Sequence, residues 1–345
     1  MNKISFCGIF VLTLLSFTAC KKDKPSTANT IFNSNASGVF ISNEGTFQFG
    51  NADLGFYNPN DQSYADELFK SANKRPLGDI CQSFYFINNK LYIVVNNSDK
   101  IEIVNPNSFA SIGTITGLGS PRYFLPVSIQ KAYVTDYNSN SISVIDLNTN
   151  KVTNKIKCQG WTEELYLTHG KVYVCNKSSR YLYIINPSND QIQDSIKIGY
   201  GANSIKLDKF DRLWVLANGD NNTELATLQT INTNSDSVIT TFTFKNKDEQ
   251  PWRLKINGSN DTLYYLNSGL YQLPISANQL NSTPLIPENK TIFYGLGIDP
   301  SASTIYVSDA IDFVQKGVVY RYQPNGILIN SFKAGISPND FYFKP

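Results

Sequence analysis

Short apolar runs of Val, Ile, Leu and aromatic residues recur along the chain, each closed by Asn, Asp, Ser or Gly. KVYVCNKSS at 171–179 is one of them. The chain repeats it as KLYIVVNNS from Lys90, KAYVTDYNS from Lys131, RLWVLANGD from Arg212, TLYYLNSG from Thr262 and TIYVSDA from Thr304. GVFISNEG from Gly38 is a looser seventh copy. The aromatics of these copies, Phe40, Tyr92, Tyr133, Tyr173, Trp214, Tyr264 and Tyr306, are spaced by 52, 41, 40, 41, 50 and 42 residues. A period of about 40 residues built from short strands marks propeller blades of four strands each. Residues 120–160 show the unit: SPRYFLPVS as inner strand, KAYVTD as second, SISVIDL as third and TNKVTNKIKC as outer strand. Val, Ile and Tyr alternate with polar residues there, as half-buried strands require. YLYIINP and DQIQDSIKI repeat the third and outer strands in the next unit.

The pattern predicts an all-β fold, a seven-bladed β-propeller that occupies residues 34–345 as one domain. The two long spacings predict insertions: QFGNADLGFYNPND and ADELFKSANKRPLG in the first unit, LANGDNNTELATL and FKNKDEQ in the fifth. ADELFKSANK could form a short helix. SPNDFYF near the C-terminus reads as an inner strand with no second strand after it, while GVFISNEG is a second strand lacking its inner one. Pairing the two closes the ring in the first blade and removes exposed sheet edges.

The N-terminus changes this picture at one end only. Lys3 precedes an apolar run from Ile4 to Phe17, then Thr18, Ala19 and Cys20. That order describes a bacterial secretory signal over residues 1–19, too short for a membrane span of about 20 apolar residues. FTAC resembles a lipobox, with Phe17 where Leu is usual, so Cys20 is the expected lipidation site and residues 20–33 a flexible tether. Simple cleavage after Ala19 is the competing reading. Acyl chains on Cys20 would anchor the protein stably in a membrane. Cys81, Cys158 and Cys175 remain, an odd set without CxxC spacing, which predicts buried free thiols and no zinc site. Lys and Arg number 30 against 28 Asp and Glu, a balance that offers no footprint for a nucleic-acid backbone. Aromatics at 13% and a single Met suit β-structure.

ISNEG at 41–45, ANKRPLGD at 72–79, KLYIVVNNSDKIEIVNP at 90–106 and GSPRY at 119–123 resemble the YncE-like and BtuG-like seven-bladed propeller lipoproteins of Bacteroidetes, of the DUF5074 type. The resemblance is most specific over residues 41–146; later blades match as generic repeats. It implies an outer-membrane, lipid-anchored protein that captures a small molecule, cobalamin or another corrinoid first of all. It also implies hand-over to a TonB-dependent outer-membrane transporter. The acidic export signal of such lipoproteins is weak here, since KKDK holds one Asp, so the cell surface and the periplasmic face both stay open.

In a propeller, the starts of the inner strands and the turns after the second strands share one face. Aligning the units places Gln82, Arg122, Glu163, Asn203, Trp252, Tyr294 and Asn339 around the central funnel. A structural position should repeat its residue, whereas this one varies while staying polar or aromatic, as a surface for one asymmetric ligand would. Trp252 and Tyr294 would serve as flat platforms, with Arg122, Gln82 and Asn339 fixing orientation. A packed channel with a solvated rim is the alternative. A secondary rim comprises Asn43, Asn96, Asp136, Asn176, Asn218, Asn267 and Asp309 at the ends of the second strands, with Glu44 beside the first. Asn and Asp suit such turns without any ligand.

Glycine pairs at 117–119, 199–201 and 295–297 open no helix and are not dinucleotide loops. Neighbouring Glu163 and Glu164 should point to opposite faces. The sole histidine, His169, aligns with Asn89 and Gln130 in a hairpin turn at the far end of the inner strand. No catalytic residue, metal or cofactor is therefore expected, and the protein reads as a binder, not an enzyme. A scaffold for protein partners is the first alternative. A calcium-dependent lactonase-like hydrolase using Glu44, Asn96 and Asp136 is the second.

Overall fold

The computed structural model describes Phe32 and residues 36–220 and 222–344. The expected signal segment, Cys20 and all of the tether except Phe32 lie outside the described residues. Among the described residues twenty-eight strands form seven antiparallel sheets of four, arranged as a closed ring of blades. The third blade matches the expected unit: Pro121–Pro126, Lys131–Asp136, Ser141–Asp146 and Lys151–Lys157.

Each second strand packs one face on either neighbouring blade, so it reads as a nearly unbroken apolar run, whereas outer strands such as Lys151–Lys157 bury little more than one isoleucine. The core consists of clusters between successive blades. Tyr133, Val144 and Ile156 of the third blade, for instance, meet Leu165, Val172 and Val174 of the fourth. All seven aromatics of the repeat are at most 1% exposed. The buried tyrosine hydroxyls need partners, and two find the same kind, an aspartate in a hairpin turn of the next blade. Tyr133 donates to Asp190 of the next blade, and Lys131 Nζ lies 2.6 Å from the same carboxylate. Tyr173 Oη donates to Asp236 at 2.5 Å, where Lys171 Nζ also pairs at 2.6 Å. Asp190 and Asp236 hold left-handed turn positions, φ +56° and +50°. The Lys-x-Tyr of one blade thus clasps the hairpin turn of the next.

The C-terminal strand Pro338–Lys344 is the inner strand of the first blade and pairs with Gly38–Asn43 (Phe40 opposite Tyr342). A Cβ on Gly295 would lie 2.2 Å from the Asn339 carbonyl oxygen, so glycine lets the seventh inner strand press against this closing strand. One expectation needs correcting: most of QFGNADLGFYNPND is not an insertion. Asp53–Asn58 is the blade's third strand, and the extra length lies in the 46–51 loop and a short helix, Leu68–Asn73. The helix forms because Leu68 and Phe69 are buried and Asp53 accepts the amides of Phe69 and Lys70. Cys81, Cys158 and Cys175 are free thiols, the first and last buried.

Candidate functional site

Each inner strand carries a β-bulge at its funnel end. Register slips between Cys81 and Ser83, Pro121 and Phe124, Thr162 and Leu165, Ala202 and Ser204, Trp252 and Lys255, and Phe293 and Leu296. The first blade slips between Ile41 and Asn43, opposite the C-terminal strand. A bulge breaks the alternation of side chains and re-aims them. Here it lets consecutive residues, Arg122 with Tyr123 and Trp252 with Arg253, line one central cavity of about 220 Å³.

Six of the seven residues expected at the inner-strand starts line that cavity: Gln82, Arg122, Glu163, Asn203, Trp252 and Tyr294. Arg122 donates from Nε to Glu163 at 3.0 Å, pairs with it again from its second arm at 2.8 Å, and donates to the Gln82 carbonyl oxygen. Glu164 turns away, as expected, to Lys206 and the Ile205 amide. Tyr294 Oη donates to Glu44 at 2.6 Å. Burial holds the Glu44 carboxyl above its ordinary range, against the opposing pull of Arg253 and that hydroxyl. Asn339 is the exception. It is 1% exposed, accepts from Arg253 and donates to the Gln82 backbone carbonyl at 2.8 Å, so it positions two wall residues without facing the cavity.

Trp252 and Tyr294 meet edge to face at 5.2 Å, and the Arg253 guanidinium lies 5.0 and 5.8 Å from their rings. They form an aromatic corner around an arginine and are not two open platforms. Arg253 has φ +57°, a conformation costly for a side chain of this kind and kept by the bulge. Lys177 completes the cationic wall, 4.2 Å from the Trp161 ring, and burial lowers its pKa.

The secondary rim is held in the blade turns, apart from Glu44 and Asn218, which line the cavity. Asp136 accepts the amides of Gly119, Ser120, Asn138 and Ser139. Asn96 and Asn176 donate to the carbonyls of Pro121 and Gln159, and Asp309 accepts from Ile292 and Ile311. Asn43 bonds Tyr64 and the Gly335 amide, and Asn267 bonds Glu249. These side chains do turn chemistry. Glu44, Asn96 and Asp136 are thus committed to separate partners. Among the described residues no group of three or more His, Cys, Asp or Glu is placed to hold a metal ion. His169 sits in its hairpin turn at φ +48°, after the far end of the inner strand.

Arg253, Tyr123 and Lys177 escaped the sequence reading. The first two follow a ring residue, where strand alternation assigns the opposite face. Lys177 directly follows Asn176, as Glu44 follows Asn43, and comparing that position across units was the signal that could have found it. A larger cleft of about 910 Å³ lies between the fifth blade's outer strand, Ser237–Thr243, and the sixth blade, whose outer strand is only Ile286–Pro287. Glu249 pairs there with Asn267 and Gln272 with Tyr264, and none of its lining side chains has a buried polar atom without a hydrogen-bond partner, whereas four in the funnel do.

Residues 37–343 match the family model described as "Domain of unknown function (DUF5074)". No curated protein matches the chain. Among solved structures, a quinonprotein alcohol dehydrogenase-like protein from Bacteroides thetaiotaomicron superposes with TM-score 0.70 at 14% identity, over 90% of this chain and 79% of that one. A protein of Bacteroides uniformis described as a candidate 6-phosphogluconolactonase gives 0.69 at 11% identity, over 89% and 99%. A protein from Lactobacillus plantarum gives 0.69 at 12%, over 90% and 99%. At such identities the likeness is one of fold.

Proposed function

The chain belongs to the DUF5074 family, and from that premise we propose that it is a non-catalytic binding protein of the cell envelope whose ligand site is the central funnel. The observation that carries this reading is the asymmetry of the funnel wall. The aromatic of every second strand repeats because it is structural, yet the wall presents amide, guanidinium, carboxylate, indole and phenol in turn. Buried charged pairs are weak sources of stability, so their concentration around one accessible cavity points to use.

Phe32 supports an anchored arrangement. It packs on Phe40, Phe56 and Phe109, and Phe109 follows Val104, the end of its strand opposite Leu91 and away from the funnel. A tether through Cys20 would leave from that face and keep the mouth open. A corrinoid is the ligand we propose first, for delivery to a TonB-dependent outer-membrane transporter. A cavity of about 220 Å³ is smaller than the roughly 300–1,000 Å³ of drug-sized sites, so such a ligand would lie over the mouth and insert only a side group. One observation favours the scaffold alternative. Phe47, Phe49, Phe313 and Val314 are 60, 74, 40 and 61% exposed on two loops at the mouth, joined by Thr46 Oγ1 donating to the Phe313 carbonyl at 3.1 Å. A protein partner would cover them.

Calorimetric titration with cobalamin, cobinamide and a haem and siderophore panel tests the reading. Trp252→Ala should weaken binding by about 2 kcal/mol, with faster dissociation, and His169→Ala should leave it unchanged. Binding that survives Trp252→Ala combined with Arg122→Ala would move the site off the funnel. Failure of every small molecule, with an outer-membrane protein co-purifying, would favour the scaffold.

A further inference from the structure

The buried hydrogen-bonding groups of the funnel that lack a partner are mostly donors. Gln82 Nε2, Trp161 Nε1 and Arg253 Nε are buried without a hydrogen-bond partner, against a single acceptor, Asn218 Oδ1. The amide assignments are fixed by their neighbours. Gln82 turns its oxygen to Arg122, which can only donate, so its nitrogen must be the free end. Gln250 donates to the Asn218 backbone carbonyl, so its oxygen takes the Asn218 nitrogen at 2.7 Å and leaves Asn218 Oδ1 open. Each carboxylate is engaged through one oxygen, Glu163 Oε1 by Arg122 and Glu44 Oε2 by Tyr294. Among the described residues Lys177 forms no ion pair, and the wall carries three cations, Arg122, Arg253 and Lys177, against those two carboxylates.

Taking the funnel as a binding site, we infer that its occupant presents a small oxyanion, a carboxylate or phosphoryl group, to Lys177, Arg253, Gln82 and Trp161. A neutral polyol would leave the excess cation of the wall unbalanced. An oxyanion brings only acceptors, which the free donors require, and hydrogen bonds with one charged partner are the stronger class. Its negative charge also balances the excess cation without disturbing the Arg122–Glu163 pair.

The protein carries its own reporter. Of the three tryptophans, Trp161 and Trp252 line the funnel and Trp214 is buried in the core at 1% exposure. Intrinsic fluorescence of the full chain, at constant ionic strength in a phosphate-free buffer, should change saturably with succinate or inorganic phosphate and not with neutral acetamide. The relative affinities of the first two distinguish carboxylate from phosphoryl. Lys177→Gln should weaken that response about tenfold, and Glu44→Gln should strengthen it by removing a competing charge. No saturable response to either anion, or a response indifferent to both substitutions, overturns the inference. If cobalamin or another panel member still binds in a Trp252-dependent way, the binding site stands and only the oxyanion falls. If nothing binds, both readings fall.

Discussion

Arg122 and Glu163 test whether the funnel charges are kept for stability or for use. Their side chains are 19 and 4% exposed and meet through two contacts of 2.8 and 3.0 Å. Arg122→Met keeps an unbranched apolar side chain but strands the Glu163 carboxylate and removes the donor to Gln82. Stranding a buried carboxylate costs about 3–5 kcal/mol. Lys177 remains near Glu163 and places the expectation at the lower end, about 3 kcal/mol. At roughly 2 °C per kcal/mol for a domain of this size, the midpoint should fall by about 6 °C in calorimetry. Arg122→Met with Glu163→Leu should recover most of that loss, since a buried pair contributes little net over apolar packing. Both variants should lose ligand. A single variant as stable as the parent would mean that Glu163 is solvated. A double variant as unstable as the single would assign the cost to lost packing on Trp161 (5.5 Å from the guanidinium). A double variant that binds normally would refute the assignment of the site.

Three further outcomes are expected. Asp190→Gly keeps the left-handed turn but leaves the Tyr133 hydroxyl without its partner and Lys131 with only the Pro187 carbonyl, and should cost about 2 kcal/mol in urea unfolding; an unchanged midpoint would reject the clasp between blades. Burial pushes the Asp53 carboxyl up from 3.8 to about 6, so native protein holds its proton longer than unfolded chain does. That contribution is fully present below about pH 4 and is lost as pH rises through 6. The stability of the parent relative to Asp53→Asn should therefore fall by about 2 kcal/mol between pH 4 and 7, and a constant difference would contradict the burial argument. Deleting residues 337–345 removes the closing inner strand and should abolish the cooperative melt with aggregation; a truncated protein with the parent's midpoint would show that closure does not stabilise the ring.

Much of the fold was legible because it rests on local signals that recur. The aromatic of each second strand, the turn residue after it and the spacing of about 40 residues follow from burying both faces of a short strand between blades. Closure by SPNDFYF was legible for the same reason, since a lone inner strand and a lone second strand complete one sheet. The strand Asp53–Asn58 was hidden because the loop before it displaced the spacing that identified its counterparts. The starts of the inner strands were also readable as positions, and six of their seven residues meet in the cavity. Their company was not. Arg253 and Tyr123 enter the funnel through bulges that cancel the two-residue period, and a bulge is set by how a strand twists against its neighbour at the crowded centre of the ring. The pairings of Arg122 with Glu163, across 41 residues, and of Tyr294 with Glu44, across 250, likewise arise only when closure brings separate blades around one axis. Sequence determined which side chains stand at the mouth; the bulges and the closed ring decided which of them are paired and which donors remain free.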